Sequence, residues 1–263
     1  MPAARRKPAP QDEVHEQSVD DKAPAKPPKR KTPAKRAPRK RAAKKPATPK
    51  IVLKADDRAP DERRVLHVGC GKKRQDGMPG AFANPDAWRE VRLDIDEACE
   101  PDIVANLTDL SAVADGAVDA VFSSHNIEHL FAHEVPTALK EFIRVLDPET
   151  GYAVITCPDL QSLGEALASG GVNDALYTSP AGPIAPLDIL YGHRASVARG
   201  SAFMAHKTGF TAQLLVDLMR ACGFAGAIAL RHPRTYALWA VGFRWAATKE
   251  EVARYAAAFF PRT

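Results

Sequence analysis

Short apolar runs separated by polar, turn-forming residues recur from Arg63 onward, with helical patterns between them. VLHVG (65–69) reads as a buried strand running into glycine, and EVRLDID (90–96) as a second strand ending in acid. DIVANL (102–107) is a third, and AVDAVFSS (117–124) a fourth, entered through the Asp115-Gly116 turn. Val135, Leu139, Phe142, Ile143 and Leu146 then recur at helical spacing. YAVITC (152–157) is a fifth strand, stopped by Pro158. Thr211 is placed to cap a helix whose apolar side is Leu214, Leu215, Leu218 and Met219, and Gly223 ends it. AIALR and YALWAVGFR look like two closing strands, and residues 248–259 like a terminal helix. Strands alternating with helices predict an α/β fold, a mostly parallel sheet covered on both faces. Residues 160–205 are less regular and rich in Gly, Pro and Ala. There is no internal repeat.

Charge divides the chain. Residues 1–50 hold 16 Lys and Arg against 5 Asp and Glu, whereas the remainder holds 21 against 27. The net charge of +5 therefore averages a basic tail and a mildly acidic body. The stretch from Lys22 to Lys50 is Lys, Arg, Pro and Ala apart from Thr32 and Thr48, without an aromatic residue. It cannot bury enough surface to offset its ordering entropy, and its prolines prevent a continuous helix. Residues 1–58 are expected to be disordered, and 59–263 to form the folded domain. The basic stretch 22–50 suits a polyanion such as nucleic acid, with salt-sensitive binding; a solvated tail with no dedicated partner fits equally. No apolar run approaches the roughly 20 residues of a membrane span, and no signal-type apolar region follows the start. Cys70, Cys99, Cys157 and Cys222 are far apart, with no paired spacing for structural zinc. A cytoplasmic protein with reduced thiols is the expectation.

The most informative stretch is VLHVGCGKKRQ. A buried strand ends in Gly69-Cys70-Gly71, where glycine permits a sharp turn and close approach of a ligand. Ligands of open α/β sheets bind at the carboxyl ends of the strands. Asp94 ends the next strand, where an acid can accept hydrogen bonds from both ribose hydroxyls of a nucleoside. Arg74 stands where the dinucleotide fingerprint requires glycine, and no GxxxxGK[ST] is present, which disfavours NAD and nucleoside triphosphates.

These pieces, with PDIVANLTDL, VDAVFSSHNIEHL, EFIRVLDPETGYAVITCPDL and HKTGFTAQLLVDLMRACGF, resemble the class I S-adenosylmethionine-dependent methyltransferases, over roughly residues 63–245. The closest group is the small-molecule methyltransferases with an EHL-type segment after strand four. The resemblance implies a Rossmann-like, seven-stranded, mostly parallel sheet with helices on both faces and an antiparallel last strand. It implies S-adenosylmethionine as cofactor. Gly69 and Gly71 would line its methionine part, Asp94 would hold the ribose, and Ile95 would lie against the adenine. Many members have an acid after strand three that accepts from the adenine amino group; Asn106 stands there, and its amide oxygen can still accept. Ser124 would lie beside the cofactor at the end of strand four. Lys73 replaces the third glycine of the fuller motif.

HNIEH (125–129) also reads as H-x-x-E-H, the inverted zinc-protease pattern. That reading needs both histidines inside a long helix and a carboxylate well downstream. The segment instead follows directly from a buried strand, and no glutamate occurs from Ala166 to Lys249. No metal is therefore expected. Where the resemblance places the methyl acceptor, His125 and His206 are candidate proton acceptors, since imidazole titrates near neutrality. His129, Tyr191 and His193 are candidate substrate contacts; each histidine would serve equally as a hydrogen-bonded scaffold. Residues 160–205 are expected to define the substrate. The NPPY-type tetrapeptide of many nucleic-acid amino-methylating enzymes is absent after strand four, where SSHN stands. This favours a small-molecule, sugar or lipid-linked acceptor over a nucleobase. A nucleic-acid or protein methyltransferase recruited by the tail is the alternative, and a non-catalytic binding module a third.

Overall fold

The structure, a computed structural model, describes residues 52–59, 61–72, 77–179, 181–232 and 234–261. They belong to the compact unit Ala47–Thr263; the expected disordered tail lies outside them up to residue 51. The packed chain begins upstream of the expected boundary at residue 59. Leu53 is buried, its N–H donates to the Ala112 carbonyl (2.8 Å), and its own carbonyl accepts from Ala114 (2.9 Å).

Seven strands form one sheet: β1 (Arg64–Val68), β2 (Arg89–Asp94), β3 (Ile103–Val104), β4 (Ala120–Ser124), β5 (Tyr152–Pro158), β8 (Gly226–His232) and β9 (Ala237–Phe243). Their order is β3-β2-β1-β4-β5-β9-β8, with β1 to β5 parallel and β9 antiparallel to both neighbours. The order reverses at β1, so the crevice opens at the carboxyl ends of β1 and β4. Residues alternate between faces, as the two-residue period requires. Leu66, Val68 and Val121 join one core with α1 (Val135–Val145) and α5 (Ala212–Cys222). Val65, Ala120 and Phe122 join the other, with Phe82, Trp88, Tyr152 and Phe259 of α6 (Lys249–Phe259).

Local chemistry sets the ends. Thr211 Oγ1 accepts from the Leu214 N–H (3.3 Å) to start α5, and Gly223 ends it at φ 118°. The third strand is shorter than expected: Asn106 Oδ1 accepts from Thr108 N–H (3.1 Å), folding residues 106–109 into a turn. The irregular segment is more ordered than its composition suggested. It contains α2 (Leu160–Ala168), a hairpin of β6 (Tyr177–Ser179) and β7 (Gly182–Ile184), and the short helices α3 (Pro186–Tyr191) and α4 (Arg194–Ala198). Among the described residues no helix is long and apolar enough to cross a membrane.

Asp188 ties this segment together. Its carboxylate accepts from the Ala185 N–H (3.0 Å) and from the backbone and guanidinium of Arg194 (3.1 and 2.9 Å). Arg194 chiefly holds the Asp188 pKa down, from the ordinary 3.8 to about 2. A depressed carboxyl stabilises above its ordinary pKa, and that contribution is lost as pH falls through the folded value. Asp188→Asn is therefore expected to melt below the wild type at pH 7, with the gap narrowing between pH 4 and 2. A gap that stays constant in calorimetric melts across that range would assign the loss to something other than the ion pair.

Candidate functional site

At the end of β1 the chain turns through Gly69 (φ 59°) and Gly71 (φ 54°), both left-handed, where a side chain is strained. The two glycines answer different demands. A Cβ on Gly69 would fall 1.9 Å from Asn126 Oδ1, because the Asn126 side chain packs over it while donating to the Val68 carbonyl (2.8 Å). A Cβ on Gly71 would meet nothing within 4 Å among the described residues, which leave the space above it open. The Gly71 N–H donates to Asp94 Oδ2 (2.7 Å), and the Asp96 N–H to Asp94 Oδ1 (2.9 Å). Asp94 thus shapes the glycine turn, and each carboxylate oxygen keeps a lone pair for a further donor. Ile95, next in the chain, is 45% exposed and free to face a ligand. Arg92 braces the loop from below, donating to the carbonyls of Gly71 and Glu100 (2.6 Å each). Burial pushes the Cys70 thiol up to about 11, which suits packing and not nucleophilic attack.

The end of β4 carries the second group. Ser124 Oγ accepts from Thr156 Oγ1 (3.1 Å). His125 follows at φ 54°, unusual for a residue with a side chain, while its N–H donates to the Thr156 carbonyl (2.9 Å). Such strain persists only where the surroundings enforce it. Residues Ile127–His129 then form a single 3-10 turn, separate from α1. The Glu128 carbonyl accepts from the N–H groups of Lys207 (2.8 Å) and Thr208 (3.2 Å), and His206 N–H donates to Tyr191 O (3.1 Å). These bonds carry His206 across the chain to the β4 turn, where its ring meets that of His129 at 4.9 Å between centroids.

His125 Nδ1 lies 3.3 Å from Glu128 Oε1. Burial pushes the Glu128 carboxyl up, but His125 and His129 beside it outweigh that and hold it below its ordinary value. Burial lowers the His206 pKa, against an opposing pull from Glu128, so its imidazole is neutral near pH 7. A cleft of about 230 Å³ lies beside His206, lined by Pro158, Leu160, Ile189, Tyr191 and Gly209.

Gly69, Gly71, Asp94 and Ile95 therefore gather at the ends of β1 and β2, and Ser124, His125, His129, His206 and Tyr191 around the end of β4. Asn106 uses one lone pair in its own turn. His193 is directed elsewhere, with Nδ1 2.7 Å from Ser196 Oγ in α4. Arg92 and Asn126 are members of the site that sequence reasoning missed. The signal was present for Arg92, an arginine inside an apolar strand, which needs carbonyl partners when buried.

Residues 66–155 match the protein family described as a methyltransferase domain. The match runs from β1 through β5 and includes Asp94 and His125–His129, but not His206. No curated protein matches the sequence. Among solved structures, the chain is similar to the 1,6-didemethyltoxoflavin-N1-methyltransferase of Burkholderia thailandensis. There the identity is 16%, the coverage 68% of this chain and 69% of that one, and the TM-score 0.41. A SAM-dependent methyltransferase from Methanosarcina mazei gives 17% identity, 72% and 95% coverage, and a TM-score of 0.44. One from Archaeoglobus fulgidus gives 14%, 68% and 85%, and 0.42.

Proposed function

We propose that this chain, which belongs to the class I S-adenosylmethionine-dependent methyltransferase superfamily, methylates a small-molecule, sugar or lipid-linked acceptor. The observation that carries the reading is the open space over Gly71 beside a buried carboxylate, Asp94, with imidazoles a strand away. In this reading Asp94 receives the ribose hydroxyls, Ile95 supports the adenine, and Asn106 offers its remaining lone pair to the adenine amino group. The open backbone at Gly71 takes the methionine portion. The acceptor occupies the side of the crevice between the β4 turn and residues 186–209.

When bound, the cofactor supplies a methyl group on sulfonium sulfur, already activated for in-line displacement. The protein's task is then alignment and exclusion of water. His206, neutral at pH 7 and partly buried, is suited to take the proton that an oxygen or nitrogen acceptor loses as its new bond to carbon forms. His125, half exposed at the mouth, is the second candidate.

The alternative is a nucleic-acid or protein methyltransferase recruited by its basic tail, and truncation separates the two. Because Leu53 packs into the core, the cut belongs at residue 47 and not at 59. Residues 47–263 are expected to bind S-adenosylhomocysteine as the full chain does, by calorimetry, and to keep turnover in a small-acceptor screen. Turnover that appears only with the tail and a macromolecular acceptor would replace the first reading with the second.

A further inference from the structure

Glu128 is wholly buried, and neither carboxylate oxygen has a hydrogen-bond partner among the described residues. His125, at 3.3 Å, is its only ion-pair partner among them. A buried carboxylate left in this state is costly, and such groups are normally paired or bound to a metal. Two more imidazoles stand against it. One ligand atom from each of Glu128, His129 and His206 can be chosen so that all three lie within 4.8 Å of one another.

The two rings are already held in the required form. His129 Nδ1 lies 3.1 Å from the Ala205 carbonyl and His206 Nδ1 2.7 Å from the Ile189 carbonyl. A carbonyl only accepts, so Nδ1 of each neutral ring carries the proton and Nε2 keeps its lone pair. A backbone carbonyl on the far nitrogen is how metal-binding histidines are commonly oriented. The backbone bonds from Lys207 and Thr208 to Glu128 fix the third ligand's segment against the first two.

We propose that Glu128, His129 and His206 form a binding site for a divalent transition-metal ion. Two imidazole nitrogens and one carboxylate suit zinc, cobalt or ferrous iron better than magnesium or calcium, which prefer oxygen alone. Three protein ligands leave coordination positions open. If the methyl-transfer reading above holds, these positions face the acceptor side of the crevice, and the acceptor class is one with a hydroxyl oxygen. A bound hydroxyl loses its proton more readily on such an ion, and with the His206 Nε2 lone pair taken by the metal, His125 is the residue left to accept that proton. The protease pattern led to the expectation of no metal because it required a long helix. The present set uses the second histidine and the glutamate of HNIEH, but draws its third ligand from His206, far along the chain.

The test uses the full chain, stripped with a chelator, then titrated with Zn²⁺ by calorimetry and with Co²⁺ by visible absorption. One ion per chain is expected, with intense Co²⁺ bands of a low-coordinate site. Glu128→Gln, close in shape, and His206→Ala should each weaken binding at least tenfold, while His133→Ala should leave it unchanged. Folded, unliganded Glu128→Gln should lose the Zn²⁺-induced rise in Tm that the wild type shows. Absence of stoichiometric binding, or binding that survives both ligand substitutions in folded protein, overturns the site. Binding of S-adenosylhomocysteine to the same wild-type sample keeps the two readings apart. Metal without nucleoside binding removes the methyl-transfer reading alone; nucleoside without metal binding removes the metal site alone.

Discussion

Asp94→Ala should bind S-adenosylhomocysteine at least about 100-fold more weakly than the wild type. A hydrogen bond to a charged group contributes about 1.5–3 kcal/mol, and each 1.4 kcal/mol is a factor of ten. Loss of two ribose contacts at the low end already reaches that figure. The substitution has a second consequence, because the same carboxylate accepts the Gly71 and Asp96 N–H groups (2.7 and 2.9 Å). Without it the glycine turn loses the support that keeps its open side facing the crevice. Asp94→Asn should fall between the two. It preserves the size, but presents an amide NH₂ to one of those backbone donors and removes the charge. Calorimetric titration of all three proteins checks the order. A value for Asp94→Ala within about threefold of the wild type would move the ribose contact to another residue.

Much of this arrangement was legible in the sequence because it depends on short-range pattern. Buried strands ending in Gly69-Cys70-Gly71 and in Asp94 announce both halves of a nucleoside crevice, since the two-residue period and glycine's freedom are local properties. The end of the third strand was not legible, because Asn106 competes for it through a side-chain bond to Thr108 that ends the pairing early. The order within residues 160–205 was hidden for a different reason. Its helices are short, and α3 and α4 are held by Asp188 and Arg194, a contact between elements and not a periodicity. The meeting of His129 with His206 likewise depends on backbone bonds between the β4 turn and residues 207 and 208. Neither histidine carries a signal of the other. HNIEH, read alone, suggests the wrong helix; read with the fold, it supplies two side chains of a cluster completed from elsewhere.

Gly69→Ala and Gly71→Ala should separate folding from ligand binding, although the residues are two apart in one turn. Both adopt positive φ, where an alanine costs about 1–2 kcal/mol. At Gly69 the new methyl also collides with the Asn126 amide, whose Nδ2 holds the carbonyls of Val68 (2.8 Å) and Ser124 (3.2 Å). Expelling it forfeits about 1 kcal/mol for each bond. The total, about 3–4 kcal/mol, corresponds to a Tm lower by about 10 °C for a domain of this size. At Gly71 the methyl meets no atom of the described residues, so only the backbone term applies, and Tm should fall by about 4 °C. Binding of S-adenosylhomocysteine should show the opposite bias. Gly71→Ala fills the space reserved for the ligand and should weaken binding at least tenfold relative to its small loss of stability. Equal Tm losses would mean that Asn126 yields freely and that packing does not demand Gly69. Unchanged nucleoside binding in Gly71→Ala would mean that the ligand does not pass over this residue, and would put the methionine portion on the Ser124 side of the crevice.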